Sequence, residues 1–138
     1  MSQPDFATVW GPNGLRTFRQ LEPGEWIWSG KKWIQVVRKI NVGTSTVFRY
    51  NSRMNASFIG TKDHKIKQCK RAVPVGQATY MNSSMWEPYV YYQASEIYML
   101  SSTEEYVGWM IEISGSEHTY WSGGVLALDY RGHMLGNQ

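Results

Sequence analysis

Three histidines, His64, His118 and His133, are the side chains of this sequence best suited to moving protons. Imidazole changes charge near neutral pH, so it can serve as a general acid or base under ordinary conditions. His64 closes the run Thr61-Lys62-Asp63-His64. There it is either a general acid or a strand-end residue that hydrogen-bonds Thr61 and fixes a turn. His118 reads as a structural hydrogen-bonding residue, and His133, in a Gly-rich tail, as a solvated one. Histidines and carboxylates show no metal-ligand spacing, so neither a metal site nor a cofactor is expected. Ser2 lies near a terminus, where serines are ordinarily solvated. The single cysteine, Cys69, excludes an internal disulfide framework and any cysteine-rich metal site.

Lys62, Lys65, Lys67, Lys70 and Arg71 form the densest basic run. On a strand, Lys65 and Lys67 share one face. With Tyr80, Trp86 and the aromatics of 89–92 they would make a groove that tracks phosphates and stacks bases. The competing reading is a charged edge strand that its lysines protect from aggregation. A net charge of +3 favours the second, because it leaves only modest attraction for a polyanion.

The elements that must position these groups read as strands. Aromatic residues make up 14% of the chain and favour pleated surfaces. Gly, Asn, Ser and Pro punctuate the sequence about every ten residues, the spacing of a sandwich, barrel or similar all-β form. Strands are expected over 7–10, 15–18 and 25–28, with Gly11-Pro12-Asn13-Gly14 as a hairpin turn. A longer strand is expected over 32–42, turned by Gly43-Thr44-Ser45 into another over 46–50. Further strands are expected at 56–60, 61–71, 108–114 and 123–128, and 94–100 could hold a short helical turn. Met81, Met85, Met99 and Met110 read as core filler. At 138 residues the chain fits one domain, 1–129, followed by a C-terminal tail, 130–138. The first nine residues carry no apolar run and do not read as a signal peptide. No segment approaches the ~18 consecutive apolar residues of a membrane helix. A cytoplasmic location, or a particle packed from the cytoplasm, is expected.

Three stretches together resemble the Hint (hedgehog/intein) family. The first, 9–24, includes Gly14-Leu15-Arg16-Thr17-Phe18 and Leu21-Glu22-Pro23-Gly24, similar to the strand, Gly turn and Leu-x-x-Gly corner that open inteins. The second, 58–66, carries Thr61 and His64 in the positions of the family's Thr-x-x-His block. The third, 111–127, with His118 and Gly123-Gly124, looks like the strand pair that ends most inteins. Residues 72–106 are unmatched and too few for an endonuclease domain, so the resemblance implies a degenerate mini-intein-like module.

That resemblance implies an all-β, Hint-like fold of many short antiparallel strands with little helix. It also implies site residues: Ser2 as the nucleophile, Thr61 and His64 polarising the amide before it, and His118 and Asp129 at the C-terminal site. The family ends in His-Asn followed by Cys, Ser or Thr, whereas this sequence reads Leu128-Asp129-Tyr130. A carboxylate is a poorer nucleophile than an amide nitrogen, so splicing is not expected to finish. If the chain begins at Met1, only that residue lies upstream of Ser2; a piece of a longer precursor is the other reading. Three functions follow. The leading one is a non-splicing structural or protein-interaction domain in a larger assembly, such as a phage or viral particle. The alternatives are an autoprocessing domain using Ser2, and a single-stranded nucleic-acid-binding protein using Lys65, Lys67, Lys70 and Arg71.

Overall fold

The computed structural model describes residues 1–51, 57–68, 70–78, 81–82, 91–92 and 98–135. The chain is built almost entirely of antiparallel strands. They are β1 (Gln3–Pro4), β2 (Thr8–Gly11), β3 (Gly14–Thr17), β4 (Trp26–Trp28), β5 (Trp33–Asn51), β6 (Ser57–Gly60), β7 (Lys65–Gln68) and β8 (Arg71–Pro74). A 3-10 turn at Val75–Gln77 precedes β9 (Met81–Asn82), β10 (Tyr91–Tyr92), β11 (Tyr98–Ile113), β12 (Thr119–Ser122) and β13 (Val125–Leu128). A short helix, α1 (Tyr130–Met134), follows.

Two long strands organise the molecule. β5 and β11 pair along almost their whole lengths, from Tyr98 opposite Asn51 to Ile113 opposite Val36. β1 adds to the free side of β11, while β4 and β6 pair with the two ends of β5. The second sheet runs β12-β13-β7-β8, and β2 and β3 form a hairpin whose turn begins and ends at Gly11 and Gly14. Alternation in sequence becomes alternation in burial at the start of β5, where Ile34 and Val36 face inward; Val47 and Tyr50 are buried towards its other end. Phe18, Leu21, Ile27, Phe58, Ile66 and Tyr120 join Ile34, Val36 and Tyr50 in one core.

Gly43-Thr44-Ser45 does not turn the chain. β5 continues through it as one strand. Gly43 instead has φ +85, Asn41 Oδ1 accepts from its N–H at 2.9 Å, and the register with β11 shifts between Val107 and Trp109. A left-handed glycine in a ladder makes a β-bulge as readily as a turn, and the long partner strand selects the bulge.

The lysines of 65–67 are not on an edge either. β7 pairs with β13 on one side and β8 on the other, so it is β8 that forms the edge. Ile66 is buried between Lys65 and Lys67, as alternation requires. Of the proposed aromatic partners, Tyr80, Trp86 and Tyr89 lie outside the described residues, as do Cys69, Met85 and 93–97. Residues 98–100 of the expected helical turn are strand, and Met110 is buried as expected. Where a C-terminal tail was expected, residues 130–134 form α1.

The bulge gives a direct test of local strain. A Cβ at Gly43 would meet nothing within 4 Å, so only its positive φ opposes substitution. Gly43→Val is expected to lower unfolding stability by about 1–2 kcal/mol, and Gly43→Asn by less, because Asn tolerates left-handed backbone. Equal urea midpoints for the two variants and the parent would contradict the bulge.

Candidate active site at the N-terminal strand

β1 is threaded into the interior, and this brings Ser2 to the second motif. Ser2 and Gln3 are both fully buried. The Ser2 N–H donates to Thr61 Oγ1 at 3.0 Å, and Thr61 N–H donates back to the Ser2 carbonyl at 3.0 Å. Thr61 Oγ1 in turn donates to Asp63 Oδ1 at 2.7 Å, and the Met1 ammonium sits 2.6 Å from the same oxygen. The Met1–Ser2 peptide is therefore gripped from its nitrogen side by a relay running from amide to hydroxyl to carboxylate. Burial opposes ionisation of Asp63, but hydrogen bonds from the ammonium and from Thr61 outweigh it and hold its carboxyl below the usual range.

Gln3 anchors the strand. Its Nε2 donates to the Ile59 carbonyl and to Ser122 Oγ, both at 3.0 Å, and its Oε1 accepts from the Tyr120 hydroxyl. Ser122 Oγ passes the chain on to the Thr8 carbonyl at 2.7 Å. Burial, with the Asp129 charge nearby, pushes the Tyr120 hydroxyl well above its ordinary value, so it stays protonated and donating.

Among the described residues Ser2 Oγ and both ring nitrogens of His64 make no well-formed hydrogen bond, as is also true of Tyr50 Oη, Asn51 Oδ1, His118 Nδ1 and Trp121 Nε1. The Leu128 backbone is nevertheless near enough to His64 to oppose, slightly, the lowering of its pKa by burial. Buried polar atoms are almost always paired, so a buried hydroxyl and imidazole that keep unused bonding capacity, both near Thr61 in sequence or contact, call for an explanation. His64 is fully buried, its ring 5.5 Å from Phe58 and 4.8 Å from His133. Burial holds its pKa well below the ordinary 6.5, and the nearby His133 and Met1 ammonium lower it further. Its resting form is the neutral imidazole. Room for Ser2 depends on a glycine: a Cβ at Gly108 would collide with both Ser2 Oγ and its Cβ.

The C-terminal residues are arranged differently. Asp129 is fully buried, with Oδ1 accepting from Gly132 N–H at 2.7 Å and Oδ2 from Ile113 N–H at 3.0 Å. It thereby caps α1. His118 has φ +60, its carbonyl accepts from Asp129 N–H at 2.8 Å, and its Nδ1 lies 3.5 Å from Asp129 Oδ1. Burial raises the Asp129 pKa, against the lowering effect of these N–H groups and of His118. Among the described residues no cluster of three or more His, Cys, Asp or Glu could hold a metal ion.

The structure thus brings Ser2 onto Thr61 and pairs His118 with Asp129, as two groups. Sequence reasoning missed Gln3, Asp63, Gly108, Tyr120 and His133. His133 is not solvated: it is partly buried, its Nε2 accepts from Lys65 N–H at 2.9 Å, and it faces His64. Asp129, a residue favoured at a helix N-cap, was the signal that could have placed His133 on a helix.

No protein-family model matches this sequence, and no curated protein does. Solved structures match it in fold. The gp41-1 intein aligns with TM-score 0.75 at 14% identity, over 93% of this chain and 98% of its own. The Ssp DnaB mini-intein variant M86 aligns with TM-score 0.71 at 11% identity, over 93% and 92%. The Msm DnaB1 intein splicing domain bound with zinc gives 0.70 at 11%, over 93% and 99%. At these identities the likeness is one of fold.

The two buried imidazoles predict a pH dependence of stability. Burial holds both His64 and His133 below 6.5. Unfolded, they would take up protons near that value, so the neutral pair stabilises the fold above it, and that stability is lost as pH falls towards the depressed folded values. Asp129, raised, acts with the opposite sign at lower pH. The unfolding temperature is expected to drop between pH 6.5 and about 5, and the drop should shrink in His64→Gln. A flat profile in that window would count against buried neutral histidines.

Proposed function

From the Hint fold that this chain has, we propose that it is an autoprocessing module that carries out an N-to-O acyl shift at Ser2 and does not go on to splice. The observation that carries this reading is the buried Ser2 N–H held on Thr61 Oγ1 while the Ser2 hydroxyl is left without a partner. Ser2 Oγ attacks the carbonyl carbon of the preceding residue. The new C–O bond replaces the C–N bond, and the proton lost by the hydroxyl ends on the Ser2 nitrogen, now a free amine. No proton is gained or lost overall, so the step needs a carrier rather than a reservoir. A neutral, unpartnered imidazole suits that task, taking the proton from Oγ and delivering it to nitrogen. Thr61, its own hydrogen engaged by Asp63, turns a lone pair to the Ser2 N–H and fixes the amide.

The C-terminal half supports no matching step. Both carboxylate oxygens of Asp129 already accept backbone N–H groups, and Leu128 stands where the resemblance expects a histidine. In this reading the Asp129–Tyr130 bond stays whole.

The second reading, a structural or protein-interaction domain in an assembly such as a phage or viral particle, is favoured by the exposed apolar side chains Leu15, Trp26, Trp33 and Val37. The nucleic-acid alternative gains nothing further, since most of its aromatic partners lie outside the described residues. Among the described residues no helix is long and apolar enough to cross a membrane.

Intact mass spectrometry of a reporter fused directly upstream of Ser2 tests the proposal. Hydroxylamine is expected to release the reporter as a hydroxamate, and Ser2→Ala to abolish release. His64→Ala and Thr61→Val should each slow it by about 100-fold or more. A second reporter placed after residue 138 should remain attached. A parent fusion left whole by hydroxylamine would sink the acyl shift and favour the docking domain.

A further inference from the structure

We propose that His133 is a positioning residue of the Ser2 site: α1 folds back after Asp129 and seats this imidazole edge to face against His64, helping to fix a ring whose own nitrogens make no well-formed hydrogen bond. The inference rests on the acyl-shift reading and extends the site to residues beyond the family-matched C-terminal position.

The seating begins at the helix cap. Asp129 Oδ1 accepts from Gly132 N–H, which starts α1 immediately after β13. Gly132 is buried, and a Cβ there would come within 3.1 Å of His118 Cβ, 3.2 Å of the His118 carbonyl and 3.2 Å of Leu128 Cβ. Only a residue without a side chain lets the first turn lie this close. One turn after Asp129, His133 then points to the chain between Thr61 and Lys65.

His133 is pinned at both nitrogens, and its tautomer follows from its partners. The Lys65 backbone N–H lies 2.9 Å from Nε2, and an amide N–H can only donate, so Nε2 carries the lone pair. The neutral ring therefore bears its hydrogen on Nδ1, which faces the Asp129 carbonyl at 3.0 Å and donates to it. Burial keeps the ring neutral, and this is the only form that satisfies both contacts. The charged groups around it are Lys65, Asp63 and the Met1 ammonium, with His64 as its ring neighbour.

A ring held this firmly can hold another. His133 meets His64 edge to face, with centroids 4.8 Å apart and planes at 71°. Phe58 is the other ring in contact, at 5.5 Å. Neither His64 nitrogen makes a well-formed hydrogen bond among the described residues, so packing by these two rings, beside the Leu128 backbone, sets its aim and keeps water away. Residues that a splicing module would treat as downstream cargo thus become part of the upstream site.

Two variants of the full chain test this, each carrying the reporter upstream of Ser2. His133→Ala removes the ring, and Gly132→Val displaces the helix while keeping the ring. Imidazole NMR titration of His64 and the pH profile of hydroxylamine release are both read, with near-UV circular dichroism confirming the folded core. In the parent, His64 should stay neutral well below 6.5. In both variants its midpoint should move up towards that ordinary value, with release slowed about 10- to 100-fold and its pH profile displaced in the same direction. Folded variants in which neither the His64 midpoint nor the profile moves would overturn the inference. A parent that forms no ester, with a His64 midpoint that still shifts in the variants, would remove the acyl-shift reading and leave His133 as the group that positions His64.

Discussion

Gln3 is wholly buried, and its side-chain amide is bonded to Ile59, Ser122 and Tyr120 at once. An amide placed in a protein interior without partners costs about 1–3 kcal/mol per unsatisfied group, so this network decides where the N-terminal strand can lie. It ties β1 to β6 and β12 while the backbone of Gln3 and Pro4 pairs with β11. Everything at Ser2 inherits its precision from that anchor. The residue is too close to the strand to move independently, and Gly108 leaves its side chain only the space above a bare backbone.

Against such thorough pairing, the few orphan atoms carry information. Ser2 Oγ and the His64 ring nitrogens are buried and polar without a well-formed hydrogen bond, while Thr61, which bonds Ser2, is fully engaged. In the C-terminal cluster His118 Nδ1 is likewise without a partner, but the carboxylate is the reverse case. Asp129 is satisfied by Ile113 and Gly132 and serves to start a helix. A carboxylate bonded on both oxygens is held as a structural group, whereas an unbonded hydroxyl keeps its bonding capacity unused. The two ends of the chain are close in space yet differ in how much of their hydrogen-bonding capacity the fold has already used.

The same contrast explains the role of α1. Its sequence, Tyr130-Arg131-Gly132-His133-Met134, has no amphipathic stripe to hold it on the surface, and it is too short to be stable alone. What holds it are the Asp129 cap, the glycine that permits close approach, and the two bonds of His133. A helix retained by specific polar contacts is sensitive to protonation in a way that a helix retained by apolar area is not.

The sequence alone determined the class of fold. Alternating β-branched and aromatic residues, broken by Gly-Pro-Asn-Gly and Leu-Glu-Pro-Gly, leave little but antiparallel strands, and the order of the motifs pointed to Ser2 and Thr61, which the fold brings into contact. Local signals reached no further. Gly43 signalled a turn, because left-handed glycine looks the same in sequence whether it reverses a chain or bulges a strand; only the sixteen-residue partner β11 distinguishes them. Lys65 and Lys67 signalled an edge, and only β13, some sixty positions later, shows that β7 has neighbours on both sides. His133 looked solvated among glycines and polar residues, yet one turn of helix brings it to His64, 69 positions earlier. Periodicity and turn chemistry act over a few residues and are written in the sequence. Burial, pairing and the absence of a hydrogen-bond partner depend on what the chain brings back from far away, and those the tertiary structure alone decided.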